Sequence, residues 1–388
     1  MPTLRITNGR VVYEGRMVDA DVLVERDRIA ALVERGRDGS GAAGPAGVAV
    51  LDARGGVVTP GFIDLQVNGG YGIDLAREPE RVGELSGRLV AHGVTSWLPT
   101  LVSTDSSTRT RFLDAVAAAR ARPAAGAARP LGGHLEGPVL APALAGAHRI
   151  EHLAPASLLA DELDHLPGVR LLTLAPELPG ALDLVAAAVG RGIVVSVGHT
   201  AAPAEVVHRA ADAGATYATH LFNAMGGLHH RAPGAAGAVL ADERLTAGLI
   251  LDRHHLHDDT VNLAWRVLGP RRTSLVSDAT AALGLSPGPT ALAGQPVQVE
   301  AEAVRTADGV LAGTRFALDG AVRNLMAVTG CALIDALHTV TTVPARVLGL
   351  ADRGVIAAGA VADLVVLGER ADVVTTVVAG CVASAPAA

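Results

Sequence analysis

The chain has 388 residues, which is long for one ordinary domain but suits a barrel of about 250 residues with a smaller module beside it. Its formal net charge of −7 argues against general nucleic-acid binding. All 32 basic residues are arginines, so mechanisms that need a Schiff-base lysine, a P-loop lysine or a carbamylated lysine between two metals are excluded.

The cysteine content and the hydropathy pattern predict a cytoplasmic protein. Cys331 and Cys381 form no CxxC motif, so neither a disulfide framework nor a thiolate metal cage is expected. The first ten residues contain no apolar run of signal-peptide length, and we find no unbroken apolar segment of about 18 residues elsewhere. We therefore expect no contact with membranes.

Both ends of the chain are predicted to be rich in β-strands. Short β-type runs cover residues 4–6, 10–13, 21–24 and 29–33, and later 362–367 and 373–378. A Gly/Ala-rich stretch from Gly36 to Gly47 is expected to be a mobile loop. Because chain termini often lie close together, we predict one small β-sandwich module built from residues 1–57 and 350–388.

The middle of the chain alternates apolar runs with segments of helical period, such as 105–120 and 203–213. The apolar runs cover residues 61–65, 94–98, 131–135, 169–174, 193–197, 215–219, 246–251 and 273–277. Alternating β and α segments give either an open doubly wound sheet or a closed barrel. Eight repeats without a glycine-rich dinucleotide turn favour an α/β fold with a (β/α)8 TIM-type barrel over residues 58–349.

Polar residues that follow the predicted strands are candidates for catalysis, because barrel enzymes place their chemistry at the C-terminal ends of the strands. Glu136, His199 and His220 follow the third, fifth and sixth runs. One carboxylate and two imidazoles make a three-ligand zinc site whose fourth position stays open for water. Bound zinc lowers the pKa of that water towards 7.

Asp278 follows the eighth run and is expected to project into the same mouth. There it could take a proton from the water and deliver it to a leaving amine. Structural alternatives exist, because a lone strand-end histidine is often only hydrogen-bonded and Asp278 could be a helix N-cap. The combination of a glutamate, two histidines and an aspartate at four strand ends favours the catalytic interpretation.

These residues lie in segments that resemble the N-acetylglucosamine-6-phosphate deacetylases of the amidohydrolase superfamily. The most specific segments are His134-Leu-Glu-Gly-Pro138 and Thr219-His-Leu-Phe-Asn-Ala-Met225. Residues 60–69, 198–200, 277–280, 311–314, 321–324 and 344–350 also fit, so the resemblance spans nearly the whole chain. It implies hydrolysis of N-acetylglucosamine 6-phosphate to glucosamine 6-phosphate and acetate.

The resemblance also implies the roles of the strand-end residues. Glu136, His199 and His220 would be the metal ligands and Asp278 the general acid/base. Many amidohydrolases bind a second metal through His-x-His after the first strand, where this chain has Gln66-Val-Asn68. We interpret Gln66 and Asn68 as the remnant of a second metal position. One divalent ion per subunit is predicted, with Zn²⁺ favoured and Fe²⁺ or another divalent ion as alternatives, since mixed N/O ligands discriminate poorly.

A histidine that contacts the acetyl carbonyl in the family corresponds to His148. As a hydrogen-bond donor it would stabilise the developing oxyanion. The alternative is a histidine in a surface loop, because Ala145 stands where the family often has lysine.

The phosphate-binding residues of the family correspond to Asn223, Ala224, Arg231 and His255. An arginine at such a site can pair with phosphate oxygens in a bidentate manner. The resemblance implies that His255 enters from a neighbouring subunit, and we therefore predict a homodimer. The expected small-molecule partner is an amino-sugar phosphate.

Two departures from the family pattern leave the exact sugar open, namely Arg253 in place of glycine and Gly226 in place of proline. N-acetylgalactosamine 6-phosphate is one alternative substrate. Another mononuclear amidohydrolase activity, on N-acyl amino acids or cyclic amides, is a more distant one. A catalytically silent sugar-phosphate binder is disfavoured because all three metal-ligand candidates and Asp278 are present.

Overall fold

The computed structural model describes residues 3–34 and 47–383. The loop predicted from Gly36 to Gly47 lies outside these residues except for Gly47 itself. Within the described ranges, every helix is too short or too polar to cross a membrane.

The N-terminal strands form one side of a nine-stranded sheet. They are Leu4–Thr7 (β1), Arg10–Tyr13 (β2), Arg16–Glu25 (β3), Arg28–Glu34 (β4), Ala49–Asp52 (β5) and Val57–Pro60 (β6). β3 pairs with β1, β2 and β4 in antiparallel fashion, whereas β5 and β6 run parallel to β1 and β2. The four runs predicted in this part of the chain are confirmed.

The strands of the central region form a second, parallel sheet. In chain order the region contains Phe62–Val67 (β7), Gly69–Gly70 (β8), Ile73–Asp74 (β9), Val94–Leu101 (β10), Arg129–Pro130 (β11), Gly133–Glu136 (β12), Val169–Leu174 (β13), Val194–Val197 (β14), Tyr217–Ala218 (β15), Thr246–Leu249 (β16) and Thr273–Leu275 (β17). β7 pairs with β10, and the ladder continues through β12, β13, β14, β15, β16 and β17. These eight strands overlap the eight predicted runs.

The eight parallel strands curl into a nearly closed barrel. Between the first and last strands a single parallel bridge joins Val67 to Ala279, and the backbone N–H of Asn68 donates to the carbonyl of Ala279 at 2.7 Å. All eight residues of β10 are buried, as expected for parallel strands covered on both faces. The barrel fold predicted from the alternating pattern is confirmed.

Helices cover the outside of the barrel. The α-helices are Val82–Leu89 (α1), Ser106–Ala121 (α2), Ala156–Glu162 (α3), Ala181–Gly190 (α4), Ala204–Asp212 (α5), Gly234–Ala241 (α6), Asp258–Arg272 (α7), Leu318–Thr329 (α8), Leu333–His338 (α9) and Thr342–Val347 (α10). Short 3-10 helices span Pro79–Arg81, Val90–His92, Pro142–Leu144, Ile150–His152 and Leu163–His165. α2 begins where the carboxylate of Asp105 accepts the backbone N–H of Thr108.

An antiparallel sheet that the sequence did not predict follows the last barrel strand. Its strands are Gly288–Leu292 (β18), Gln295–Val299 (β19) and Val304–Thr306 (β20). Alternate apolar residues, including Val297, Val299 and Val304, bury a small core of their own. Leu292 of β18 belongs to this core.

The C-terminal strands return to the first sheet. They are Leu364–Leu367 (β21), Val373–Val378 (β22) and Cys381–Val382 (β23). β21 pairs antiparallel with β6, with Leu364 opposite Pro60 and Leu367 opposite Val57. Strands from both ends of the chain therefore share one sheet.

Candidate metal centre and active site

Four predicted site residues lie at one end of the barrel. Glu136 ends β12, His199 and His220 follow β14 and β15 by two residues, and Asp278 follows β17 by three. Each is at most 7% exposed. All four side chains therefore lie at the C-terminal ends of barrel strands, where barrel enzymes carry their catalytic residues.

Three of these side chains converge on a common point. Oε1 of Glu136 lies 3.1 Å from Nε2 of His199 and 2.8 Å from Nε2 of His220. The two Nε2 atoms are themselves 3.1 Å apart. The three ligand atoms all lie within 4.8 Å of one another, close enough to share an ion. In the described ranges no other group of three or more histidine, cysteine, aspartate or glutamate side chains does so.

The hydrogen bonding of the His199 ring fits a bound cation. Nδ1 of His199 lies 2.8 Å from the carbonyl oxygen of Leu144, to which it must donate. A neutral ring then carries a lone pair on Nε2, which faces the Glu136 carboxylate. A nitrogen lone pair and an anionic oxygen repel each other unless a positive ion lies between them. One carboxylate oxygen and two imidazole nitrogens are donors that suit a divalent metal such as zinc.

Glu136 is held in its ionised form. Burial alone would raise the pKa of this carboxyl, but hydrogen bonds and positive charge from the imidazoles of His199 and His220 outweigh burial and hold the pKa well below its usual range. An ion bound to the lone pairs of these rings would supply that positive charge in their place. The carboxylate is therefore available as a ligand throughout the neutral pH range.

The backbone at the site adopts an uncommon conformation. The φ angles are +48° at His199, +30° at His220 and +47° at Asp278, and Phe222 and Ala224 also have positive φ. Residues other than glycine rarely adopt this left-handed region, and such strain concentrates at functional sites. The chain turns sharply after each strand and so aims these side chains at the mouth of the barrel.

Asp278 is not a helix N-cap, because the residues after it form turns rather than a helix. Its Oδ1 accepts a hydrogen bond of 2.7 Å from Nδ2 of Asn68. Burial, together with the negative charge of Glu136, raises the pKa of Asp278 to about 8. A cation held by the cluster would oppose this shift.

Gln66 and Asn68 each donate to a carboxylate of the site. Nε2 of Gln66 lies 3.2 Å from Oε1 of Glu136, and Asn68 holds Asp278. Neutral amides can orient carboxylates in this way without adding charge. Their role as a remnant of a second metal position stays a prediction.

His148 is buried at the site, which removes the surface-loop alternative. Its Nε2 lies 3.8 Å from Oε2 of Glu136, and its ring contacts the ring of His199 edge-on at 4.6 Å between centroids. Burial, together with the neighbouring His199, lowers the pKa of His148 to about 3. The ring is therefore neutral at neutral pH.

A cavity of about 580 Å³ opens above the cluster. Asn223, Ala224 and His255 line it, together with Asn68, Glu136, His148, His199, His220 and Asp278. Its size falls within the range of small-ligand sites.

His255 lies in the pocket of its own chain. Its Nδ1 contacts Oδ2 of Asp252 at 2.8 Å, and its side chain is 6% exposed. In this chain the ring lies against its own pocket, and its predicted reach into a neighbouring active site stays a prediction. Burial opposes ionisation of Asp252, but hydrogen bonding to His255 and its charge outweigh it, so the pKa of Asp252 is lowered.

Three other positions lie outside the residues that line the cavity. Arg231 is exposed, and its Nη1 contacts Nε2 of His230 at 2.8 Å. Arg253 directs Nε to Oδ1 of Asn324 at 3.3 Å, away from the cavity, and Gly226 is also absent from the lining. Neither departure from the family pattern therefore changes the walls of the pocket.

The sequence reasoning missed Ser103, Leu292 and Leu311. Ser103 contacts Nδ1 of His148 and lies two residues after β10, so a search of every strand end would have found it. Leu292 and Leu311 line the cavity from the antiparallel insertion and the segment after it. No local pattern indicates that these leucines face a substrate.

The barrel, its Glu/His/His cluster and the neighbouring carboxyl group of Asp278 define a class of α/β-barrel hydrolases that use a metal ion. The family model described as the amidohydrolase family matches residues 57–383, and the chain therefore belongs to that family.

Two relatives and one solved structure confirm the resemblance predicted from the motifs. The N-acetylglucosamine-6-phosphate deacetylase of Bos taurus is 35% identical, over 98% of this chain and 95% of that protein. The N-acetylgalactosamine-6-phosphate deacetylase of Escherichia coli O157:H7 is 38% identical, over 79% of this chain and 82% of that protein. A mutant N-acetyl-D-glucosamine-6-phosphate deacetylase of Mycobacterium smegmatis, solved in complex with N-acetyl-D-glucosamine-6-phosphate, superposes with a TM-score of 0.87 at 32% identity, covering 99% of this chain and 100% of that one.

Proposed function

We propose that this protein hydrolyses the acetamide of N-acetylglucosamine 6-phosphate to glucosamine 6-phosphate and acetate. The observation that carries the proposal is the convergence of Glu136, His199 and His220 beside Asp278 in one cavity. Each of these residues belongs to a segment that resembles the deacetylases, and the relatives above bear that name.

We propose one divalent ion per subunit, held by Glu136, His199 and His220, and we favour Zn²⁺ over Fe²⁺ because two imidazoles and one carboxylate form a common zinc ligand set. Such an ion, when bound, polarises the amide carbonyl and makes a water molecule more acidic. The chain supplies the remaining groups.

His148 and Asp278 carry the hydrogen-bonding and proton-transfer steps. The neutral ring of His148 donates from Nε2 to the acetyl oxygen and stabilises the negative charge that develops there. Asp278 accepts a proton from the attacking water and returns it to the sugar nitrogen as the C–N bond breaks. The water oxygen becomes part of the acetate, and the amine keeps the electron pair of the broken bond.

The phosphate end of the substrate is proposed to lie against Asn223, Ala224 and His255. These residues line the cavity, and Nδ1 of His255 contacts Oδ2 of Asp252 at 2.8 Å. We also propose that Arg231 pairs with the phosphate. Its guanidinium is exposed and would have to approach the cavity to do so.

N-acetylgalactosamine 6-phosphate is the second candidate substrate. It is favoured because the E. coli relative named N-acetylgalactosamine-6-phosphate deacetylase is 38% identical to this chain. The two sugars differ in the orientation of one hydroxyl.

An acetate-release assay across a substrate panel tests the proposal. Metal-stripped protein reloaded with Zn²⁺ would be given both phosphorylated N-acetylhexosamines, both free sugars and an N-acetyl amino acid. We expect the highest kcat/KM for N-acetylglucosamine 6-phosphate. A preference for the galactosamine epimer would establish the second candidate, whereas turnover of the N-acetyl amino acid alone, or of nothing, would refute both.

Three further proposals concern the whole protein. We propose that the strands from both ends form a small β-sandwich module, with a first boundary at 57/58 inside β6 and a second at 349/350. Support comes from a separate buried cluster that includes Ile6, Val22 and Leu364. A homodimer in which His255 reaches a neighbouring active site remains a proposal from the family resemblance, and light scattering tests the dimer. A cytoplasmic location is proposed from the cysteine usage.

A further inference from the structure

Ser103, two residues after β10, lies beside Nδ1 of the His148 ring. Ser103 is 3% exposed, and both its polar groups contact Nδ1 of His148. The backbone N–H donates to Nδ1 at 3.1 Å, and Oγ lies 2.9 Å from the same atom.

These contacts determine where the ring carries its proton. A backbone N–H is only ever a donor, so Nδ1 must be an acceptor. A neutral imidazole has one N–H group, which must then be on Nε2. The hydroxyl of Ser103 can donate to the same lone pair and strengthen the arrangement.

The neighbouring histidine is held in the opposite form. Nδ1 of His199 donates to the carbonyl of Leu144, so its Nε2 carries the lone pair. The two rings are 4.6 Å apart, and yet one presents a lone pair to the cluster and the other presents an N–H. A metal ligand and an oxyanion donor need these opposite forms.

We propose that Ser103 is a positioning residue that fixes His148 in the form with a proton on Nε2, so that this ring donates to the reacting carbonyl. The proposal rests on the deacetylase function proposed above. With the proton on Nδ1 instead, the lone pair of Nε2 would face both the Glu136 carboxylate, 3.8 Å away, and the developing oxyanion.

The direct test is the ¹⁵N NMR spectrum of zinc-loaded protein made with ¹⁵N-labelled histidine. His148→Gln identifies the His148 signals among those of the 14 histidines by their loss. We expect the chemical shifts of a neutral ring with a protonated Nε2 and an unprotonated Nδ1. A protonated Nδ1 overturns the proposal, and this measurement does not require the variant at Ser103 to fold.

A mutant cycle tests the functional consequence. Ser103→Ala removes the hydroxyl donor but keeps the backbone N–H, and we expect kcat to fall about fivefold with little change in KM. In the His148→Gln background the same change should cause no further loss, because the ring it positions is gone. An equal loss in both backgrounds overturns the proposal.

Ser86→Ala is the matched control. Ser86 is equally buried, at 3% exposure, and loses a hydrogen bond from Trp97 rather than from the site. We expect its kcat to be unchanged in either background. Should wild-type protein release no acetate from any phosphorylated sugar, the proposed function fails, whereas the NMR result still decides the form of His148.

Discussion

Asn68 donates its side-chain N–H to Asp278 at 2.7 Å across the seam where the barrel closes. One residue follows β7 and the other follows β17, and the same seam is joined by the bridge between Val67 and Ala279. Barrel closure therefore places the amide against the carboxylate, and the bond leaves one oxygen of Asp278 for proton transfer.

Asn68→Leu removes this donor at similar side-chain volume. We expect kcat to fall at least about tenfold because the carboxylate loses its fixed orientation, while the bound metal content stays unchanged. Steady-state kinetics and metal analysis check both parts. Asn262→Leu is the control, because Asn262 donates to backbone carbonyls of α7 and α8 in the described part of the chain. Unchanged kcat in Asn68→Leu would remove Asn68 from the mechanism.

Asp278→Asn tests the proton-transfer group itself. The amide is isosteric but cannot accept and return a proton, so kcat should fall by about 100-fold to 10,000-fold. Metal and substrate binding should persist, because the Glu136, His199 and His220 ligands are intact. Kinetics combined with equilibrium binding of the substrate separates these effects. Substantial residual turnover would refute the role of Asp278.

His255→Ala tests the phosphate end of the pocket. We expect KM for the phosphorylated sugar to rise about tenfold with little change in kcat, since the interaction is equally present in ground and transition states. KM for the unphosphorylated sugar should hardly change. Arg231→Ala, measured in parallel, decides whether the exposed arginine joins this site: an equal effect on phosphorylated and free sugars would exclude it.

Asp105→Ala tests the N-terminus of α2. Hydrogen bonds from the Ser107 hydroxyl and the Thr108 N–H hold the pKa of Asp105 below its usual range. Because the folded-state pKa is lowered, the stabilisation is complete above the unfolded value of about 4 and is lost as the pH falls towards the folded value.

We therefore expect Asp105→Ala to reduce the free energy of unfolding by about 1 kcal/mol at pH 7 and by less in acid. Denaturant unfolding at several pH values measures this dependence. Asp114→Ala, an exposed position on the same helix, should show no such loss. A pH-independent difference at Asp105 would argue against a charged cap.

Much of this architecture was predictable because it depends on local sequence pattern. Eight apolar runs of strand length gave the eight barrel strands, and the rule of strand ends gave Glu136, His199, His220 and Asp278. Such patterns report burial and periodicity, which a single sequence carries directly.

Other features depend on tertiary contacts that the pattern does not carry. The proton position on His148 is set by Ser103, which is 45 residues away in the chain. The exposure of Arg231 and the burial of His255 depend on the tertiary packing of the loops that carry them. The sheet β18–β20 was missed because its strands are short and only partly buried.

The central claim is that one ion, held by Glu136, His199 and His220, makes the deacetylation competent. Titrating metal-free protein with Zn²⁺ while measuring acetate release from N-acetylglucosamine 6-phosphate tests it most directly. We predict no activity without metal, a linear rise and a plateau at one ion per subunit. Full activity in metal-free protein, or a plateau only at two ions, would contradict the account.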